Sequence, residues 1–308
     1  MRDSPAIVGI ANPRAGNGRA RRYARRLERV LRDANLACAI RCTSAPLEAT
    51  RLAREAIDAG ASTLLAIGGD GTVNEVVNGI LRDARPSSDV ALAIAPVGTG
   101  TDFAKTIHQS AEPREVLTRL RGDRRRRIDA GLAEYTDLQG RPATRYFLNV
   151  AEFGSGGAVV EKVNRTTKVL GGKMSFLLAI MSTLPKYRNK NARWRVDGGP
   201  WAEGVVNNVV AANGRYFGGG LLPAPNAEVD DGEFDVVVIG DIDFKTVRRH
   251  LGDLRNGTHL GLRFVSSSRG RVLETERTER AFLDLDGELV GVDPTRFVCI
   301  PKAVDLIV

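Results

Sequence analysis

Three short apolar runs in the first hundred residues each break off at a glycine-bearing loop. Ala6 to Ala11 runs into Asn12-Pro13-Arg14-Ala15-Gly16, and Thr63 to Ile67 into Gly68-Gly69-Asp70-Gly71-Thr72. Val90 to Ala95 runs into Pro96-Val97-Gly98-Thr99-Gly100-Thr101-Asp102. Helical patterns separate them. Tyr23, Leu27, Val30 and Leu31 recur at helical spacing among arginines, Leu47 to Ala59 follows Pro46, and Val73, Val76, Val77, Ile80 and Leu81 make a third stripe. A further strand is expected over Ala37 to Thr43. Strand–helix units of this length predict a parallel sheet with helices on both faces. The carboxyl ends of parallel strands share one edge, where such folds bind ligands, so the three loops should meet there. Each loop offers backbone N–H groups, and the second and third lead into helix N-termini, which favour phosphate oxygens. Any one of them alone reads equally well as a tight turn.

After the basic run Arg124 to Arg127 the texture changes. Strand-like segments dominate, at 146–150, 193–196, 205–212, 234–239, 272–273, 281–285 and 297–300, several of them separated by Gly or Asp-Gly turns. That pattern predicts a mostly antiparallel β-sandwich, interrupted by helices near 173–184 and 244–254. The expected boundary lies near Ile128, giving an α/β nucleotide-binding domain over 1–128 and a β-rich substrate domain over 129–300. The tail 301–308, ending in the apolar Val304 to Val308, can pair with either. A length of 308 residues suits two domains at roughly 150 each.

Composition removes several classes. Hydrophobic residues at 43% and charged residues at 27% describe a chain with real cores rather than a disordered one. The longest strongly apolar run, Phe176 to Met181, falls far short of the about 20 residues a membrane helix needs. The opening MRDSPAIVGI lacks the apolar core of a signal peptide. Cys38, Cys42 and Cys299 cannot form a disulfide framework, which fits a reducing compartment, so a cytoplasmic location is expected. His108, His250 and His259 are scattered and belong to no ligand cluster. The standard nucleotide fingerprints are missing: Gly171-Gly172-Lys173 lacks the upstream glycine of a P-loop, and Arg21 stands where a dinucleotide motif wants its third glycine. A net charge of +8 invites a polyanionic partner. A nucleic-acid module would leave the glycine loops unexplained, and the chain has neither zinc-finger spacing nor an aromatic RNA-binding signature, so no nucleic acid is expected.

The combination of motifs resembles the diacylglycerol and sphingoid-base lipid kinases. The likeness is carried by Asn12-Pro13 with Gly16, by Gly68-Gly69-Asp70-Gly71-Thr72-Val73-Asn74-Glu75 through Gly79, and by Pro96-Val97-Gly98-Thr99. Later come Ala212-Asn213-Gly214-Arg215-Tyr216-Phe217-Gly218-Gly219-Gly220 with Pro223, then Asp230-Asp231-Gly232, then Asp286-Gly287-Glu288. The second glycine motif also occurs in NAD kinases and phosphofructokinases. The Asn-Pro and Asp-Gly-Glu elements favour the soluble bacterial lipid kinases.

What the resemblance implies is an ATP- and magnesium-dependent enzyme that phosphorylates a lipid hydroxyl, with diacylglycerol converted to phosphatidic acid. Its nucleotide positions match Asn12, Pro13, Arg14, Ala15, Gly16, Thr43, Gly68, Gly69, Asp70, Gly71, Thr72, Val73, Asn74 and Thr99. Its structural magnesium matches Asp231, with carbonyls at Glu228 and Glu233. Its proton-accepting element matches Asp286 and Glu288, and Asp70 reads as a carboxylate handling magnesium or the attacking hydroxyl. The family usually carries Asn where Thr101 precedes Asp102. Bland readings stand beside these: Asp286-Gly287 is also a natural hairpin turn, and Asp230-Asp231-Gly232 a natural loop. Arg121 to Arg127 is either a solvated face or a contact for anionic lipid. The stripe Met174, Leu177, Leu178, Met181 and Leu184 is either core or a wall for lipid tails. Expected partners are a lipid substrate, an anionic membrane surface met peripherally, and a second copy of the chain as a homodimer. The alternatives are a kinase of a sphingoid base or of NAD, and a non-catalytic protein binding anionic lipid or nucleic acid.

Overall fold

A computed structural model describes residues 6–81, 90–165, 172–277 and 279–308. The chain forms two compact units, residues 1–128 with 302–308 and residues 129–301.

The first unit alternates strand and helix: β1 (Ile7–Ala11), α1 (Arg19–Asp33), β2 (Cys38–Cys42), α2 (Glu48–Asp58), β3 (Thr63–Gly68), α3 (Asp70–Ile80) and β4 (Ala91–Pro96). Two more helices follow, α4 (Asp102–Thr106) and α5 (Pro113–Gly122). The strands are all parallel, in the order β2-β1-β3-β4, and the last residues of the chain add alongside β4 with Asp305 opposite Ala91. Every residue of β3 is buried, as a central parallel strand covered on both faces requires. Helix α1 turns Ala20, Ala24, Leu27 and Leu31 inward and leaves its arginines to solvent. Gly79 brings α3 against α2, since a Cβ there would stand 2.4 Å from the Ala53 methyl.

The chain crosses to the second unit within β5 (Arg125–Asp137), which pairs with β6 (Pro142–Phe147). Then come β7 (Val150–Gly154), α6 (Ser155–Arg165), α7 (Gly172–Thr183), β8 (Lys190–Val196), β9 (Ala202–Ala212), β10 (Phe234–Gly240) and α8 (Phe244–Asn256). Strands β11 (Val265–Gly270), β12 (Val272–Arg277), β13 (Phe282–Leu285) and the long β14 (Glu288–Ile307) complete it. Strands β7 to β13 pair with one another and with β14 in antiparallel fashion. One row runs β11-β10-β9-β7-β13-β14, and a second, β9-β8-β12-β14, shares its two long outer strands. Between them lies a core of Phe147, Phe153, Phe234, Phe297, Leu273 and Leu283, with the Phe147 and Phe234 rings stacked at 5.5 Å. Helix α6 is not foreshadowed by its glycine-rich sequence. Its Gly157 lets it dock directly on the Phe282 backbone, where a Cβ would come within 2.3 Å of the carbonyl oxygen.

Candidate active site

At the carboxyl edge of the first sheet the three glycine loops lie on one another. Val97 N–H donates to Gly68 O at 2.8 Å, Asp70 N–H to Gly100 O at 3.1 Å, and Asn12 N–H to Ile67 O at 3.1 Å. The glycines are what allow this approach. A Cβ on Gly69 would stand 2.7 Å from Gly100 O, and one on Gly98 would stand 2.3 Å from Gly69 Cα. Gly16, at φ +60°, meets Val97 O in the same way at 2.5 Å. Asp70 links the second loop to the third, its carboxylate accepting the N–H groups of Asp102 at 2.8 Å and Phe103 at 3.2 Å. The residue that departs from the family pattern, Thr101, precedes α4 and makes no side-chain cap there.

Helices α1 and α3 begin at Gly18 and Gly69 without side-chain caps, and the positive ends of their dipoles favour an anion. Asn12, Pro13, Arg14, Ala15, Gly69, Asp70, Gly71 and Thr99 are exposed or half-buried around these ends. Gly16, Gly68 and Thr43 are buried; the N–H of Thr43 bonds Ala11 O at 2.9 Å, tying the end of β2 to the last residue of β1. Thr72, Val73 and Asn74 are buried too, and the N–H groups of Thr72 and Val73 both bond Gly69 O at the start of α3.

In the second unit Asp286 and Gly287 form the hairpin between β13 and β14, with φ of +53° and +85°. The Asp-Gly turn that the sequence offers is thus formed. The Asp286 carboxylate accepts the N–H groups of Leu148 at 3.0 Å, Asn149 at 2.9 Å and Val150 at 3.0 Å, so it anchors the chain entering β7. Glu288, the first residue of β14, is exposed. Asn213 and Asn149 stitch the neighbouring loop: Asn213 Nδ2 donates to Leu148 O at 2.6 Å and Asn149 Nδ2 to Tyr216 O at 2.7 Å. Phe217 packs beside the core and lines a cavity of about 100 Å³. That cavity is walled mostly by apolar side chains of α6, α7, α8 and β10, including Val159, Ile180, Val247 and Leu251, with Leu184 just after α7. One end is polar, formed by Glu152, Ser155, Asn207 and Asn208. His259 also borders it, kept neutral by burial and donating from Nε2 to Pro223 O at 3.0 Å.

Of the expected magnesium set, the Asp231 carboxylate is engaged by an arginine. Asp231 Oδ2 is paired with the guanidinium of Arg269, which also lies 3.3 Å from Glu233 and 3.7 Å from Asp235. Asp231 Oδ1 accepts the N–H of Glu233 at 3.0 Å, and Glu228 is exposed. Among the described residues no group of three or more His, Cys, Asp or Glu side chains is arranged to hold an ion.

The run Arg121 to Arg127 is exposed, and its Arg125 and Arg127 pair with Asp305 at 4.0 and 3.2 Å. In α7 the stripe divides: Leu178 and Met181 are exposed, while Leu184 just beyond the helix lines the cavity. The side chains of Met174 and Leu177 lie outside the described residues. Among the described residues no helix is long and apolar enough to cross a membrane. Sequence reasoning missed Glu152, Asn208, Asp284 and Arg269. A signal existed for the acids, each a lone carboxyl inside an apolar strand.

Comparison with known proteins adds the relationship. Residues 6–133 match the model of the diacylglycerol kinase catalytic domain, and residues 149–308 that of the YegS C-terminal NAD kinase beta sandwich-like domain. A protein of Pseudomonas aeruginosa named "Probable lipid kinase YegS-like" is 34% identical over 277 residues, 88% of this chain and 85% of its own. The diacylglycerol kinase of Bacillus subtilis is 26% identical over 299 residues, covering 97% and 94%. A solved diacylglycerol kinase of Bacillus anthracis superposes with a TM-score of 0.70 at 21% identity, over 100% of this chain and 97% of that one. An NAD kinase of Archaeoglobus fulgidus, solved with ATP, shares the fold at a TM-score of 0.50 and 12% identity, over 98% and 93%.

Proposed function

Because the chain belongs to the lipid kinases that join a diacylglycerol kinase catalytic domain to a YegS-type C-terminal domain, we propose that it transfers the γ-phosphoryl group of ATP to the hydroxyl of diacylglycerol, giving phosphatidic acid. The observation that carries this reading is the stack of three glycine loops with two uncapped helix N-termini. Such an edge suits a triphosphate, whose charge the helix dipoles and the exposed Arg14 would offset. Magnesium bound with the nucleotide would supply further neutralisation of the phosphate charge, and Asp70 is the carboxylate on this edge able to face it. Phosphoryl transfer asks little covalent chemistry of a protein, so the remaining tasks are orientation and late removal of one proton. Glu288 is the exposed acid suited to take that proton, and Asp286 holds the turn that presents it.

The apolar cavity of the second unit supports a lipid acceptor over a soluble one. The exposed arginines of 121–127 support transient contact with an anionic bilayer, from which such an acceptor would be drawn. The test is transfer of labelled phosphate from ATP to vesicles carrying diacylglycerol, monoacylglycerol, ceramide or a sphingoid base, with NAD in parallel. Diacylglycerol is expected to accept best. Label in a sphingoid base alone would move the acceptor, and label in NAD alone would overturn the lipid reading.

A further inference from the structure

Glu152 and Asp284 break the ordinary rules of burial. Each stands in the middle of an apolar strand, β7 reading Val-Ala-Glu-Phe-Gly and β13 Phe-Leu-Asp-Leu. The antiparallel register sets them directly opposite one another, 2% and 5% exposed. Two like charges in that relation destabilise a sheet, and burial multiplies the cost. Asp284 Oδ1 is buried without a hydrogen-bond partner among the described residues, and a proton held between the two facing carboxyls would satisfy it and remove one of the charges. Asn208 on β9 donates its amide N–H to Glu152 Oε2 at 2.5 Å. Helix α6 closes over the pair: a Cβ on Gly156 would stand 2.2 Å from the Glu152 carboxyl. Burial raises both acids, Glu152 to about 7 and Asp284 well above the carboxylate range, with Glu288 and Asp286 pushing Asp284 further. His250 and His259 are the other titratable groups on the cavity that Glu152 borders.

Asp284 and Asp286 lie two residues apart at the end of one hairpin arm. That hairpin is therefore fastened twice, by the Asp286 carboxylate on the amides of 148–150 and by the carboxyl pair two residues along β7. We propose that Glu152 and Asp284 are positioning residues, their shared proton binding β13 to β7 so that the Asp286-Gly287-Glu288 turn is held in its working place. The proposal rests on the reading of that turn as the acceptor-side element. When the last shared proton leaves in alkaline solution, two adjacent buried charges repel and the turn loosens.

The test pairs turnover with a measurement that needs no activity. Glu152→Leu removes the bond; kcat should fall at least about tenfold with KM for ATP within about twofold. Hydrogen exchange at the amides of Leu148, Asn149 and Val150 should quicken at least about tenfold in the same variant. Glu152→Gln can donate to the Asp284 carboxylate without a mobile proton, so it should recover most of the lost kcat and lack the alkaline fall of the native pH profile. Asp284→Asn reads the same bond from the other side and should behave like Glu152→Gln, which decides the matter even if Glu152→Leu does not fold. Native turnover and protected amides in Glu152→Leu would overturn the proposal, as would an unchanged alkaline limb in both amide variants. A native protein that phosphorylates no lipid, with exchange still quickened in Glu152→Leu, would sink the kinase reading and leave the positioning role standing.

Discussion

Asp286 and Glu288 stand two residues apart yet do different physical work. Asn at 286 tolerates the left-handed backbone of the turn, but its NH2 group would face amides that now find an acceptor. An unsatisfied buried N–H costs about 1–3 kcal/mol. Asp286→Asn is therefore expected to lower the melting temperature by about 2–12 °C, at about 2–4 °C per kcal/mol for a chain of this size. Glu288 is exposed, so Glu288→Gln should change stability by less than about 0.5 kcal/mol. If Glu288 takes the proton, the same change lowers kcat at least about 100-fold with ATP affinity intact. Full turnover in Glu288→Gln together with a dead but stable Asp286→Asn would exchange the two roles.

Among the elements, the loop stack and the acidic turn make separate claims. Alanine at 69 would push a methyl group onto Gly100 O and Gly98 Cα, backbone atoms that cannot swing aside. Overpacking of this kind costs about 1–3 kcal/mol. Gly69→Ala should thus melt lower and bind ATP at least about tenfold more weakly, because the second and third loops are forced apart. Unchanged ATP affinity by calorimetry would remove the stack from the nucleotide site. At the start of β10, Arg269 already neutralises Asp231, Glu233 and Asp235. Without nucleotide, the native protein should melt at the same temperature in magnesium and in EDTA. Arg269→Gln should melt lower in EDTA and recover part of the loss on adding magnesium, since only then does the turn lack a cation. A native protein stabilised by magnesium, with the effect lost in Asp231→Asn, would restore a metal to this turn.

For the whole molecule, the acidic pair sets a direction of pH dependence. Burial raises the folded-state values of Glu152, to about 7, and of Asp284 above those of an unfolded chain. Protons are then held more tightly folded than unfolded, so the pair's contribution is fully present below about pH 4 and lost as pH rises through 7. Melting temperature is expected to fall between pH 5.5 and 8, and to fall less in Asp284→Asn. A flat profile common to both proteins would mean the pair carries no such linkage. The net charge of +8 acts at the same scale. Each basic residue near an anionic surface contributes about 1 kcal/mol, so sedimentation with phosphatidylserine vesicles should weaken steeply with salt. Sedimentation indifferent to both salt and phosphatidylserine would remove the membrane contact.

The sequence alone was enough for the two-part architecture and for the edge where the loops gather, because strand and helix periods are local and parallel strands put their carboxyl ends together by topology. It was enough too for the Asp-Gly hairpin, whose signal lies in two adjacent residues. What tertiary structure decided is everything that depends on which distant groups meet. Thr72, Val73 and Asn74 sit in a ligand-like motif, but only packing shows them turned inward. Nothing in the sequence around Asp231 points to Arg269, 38 residues away, which the pairing of β10 with β11 brings to it. Glu152 and Asp284 are 132 residues apart, and neither carries a motif; the register of β13 on β7 makes them one buried acidic pair. Charge acts through space and its cost depends on burial, so its partners become legible only once the chain has folded.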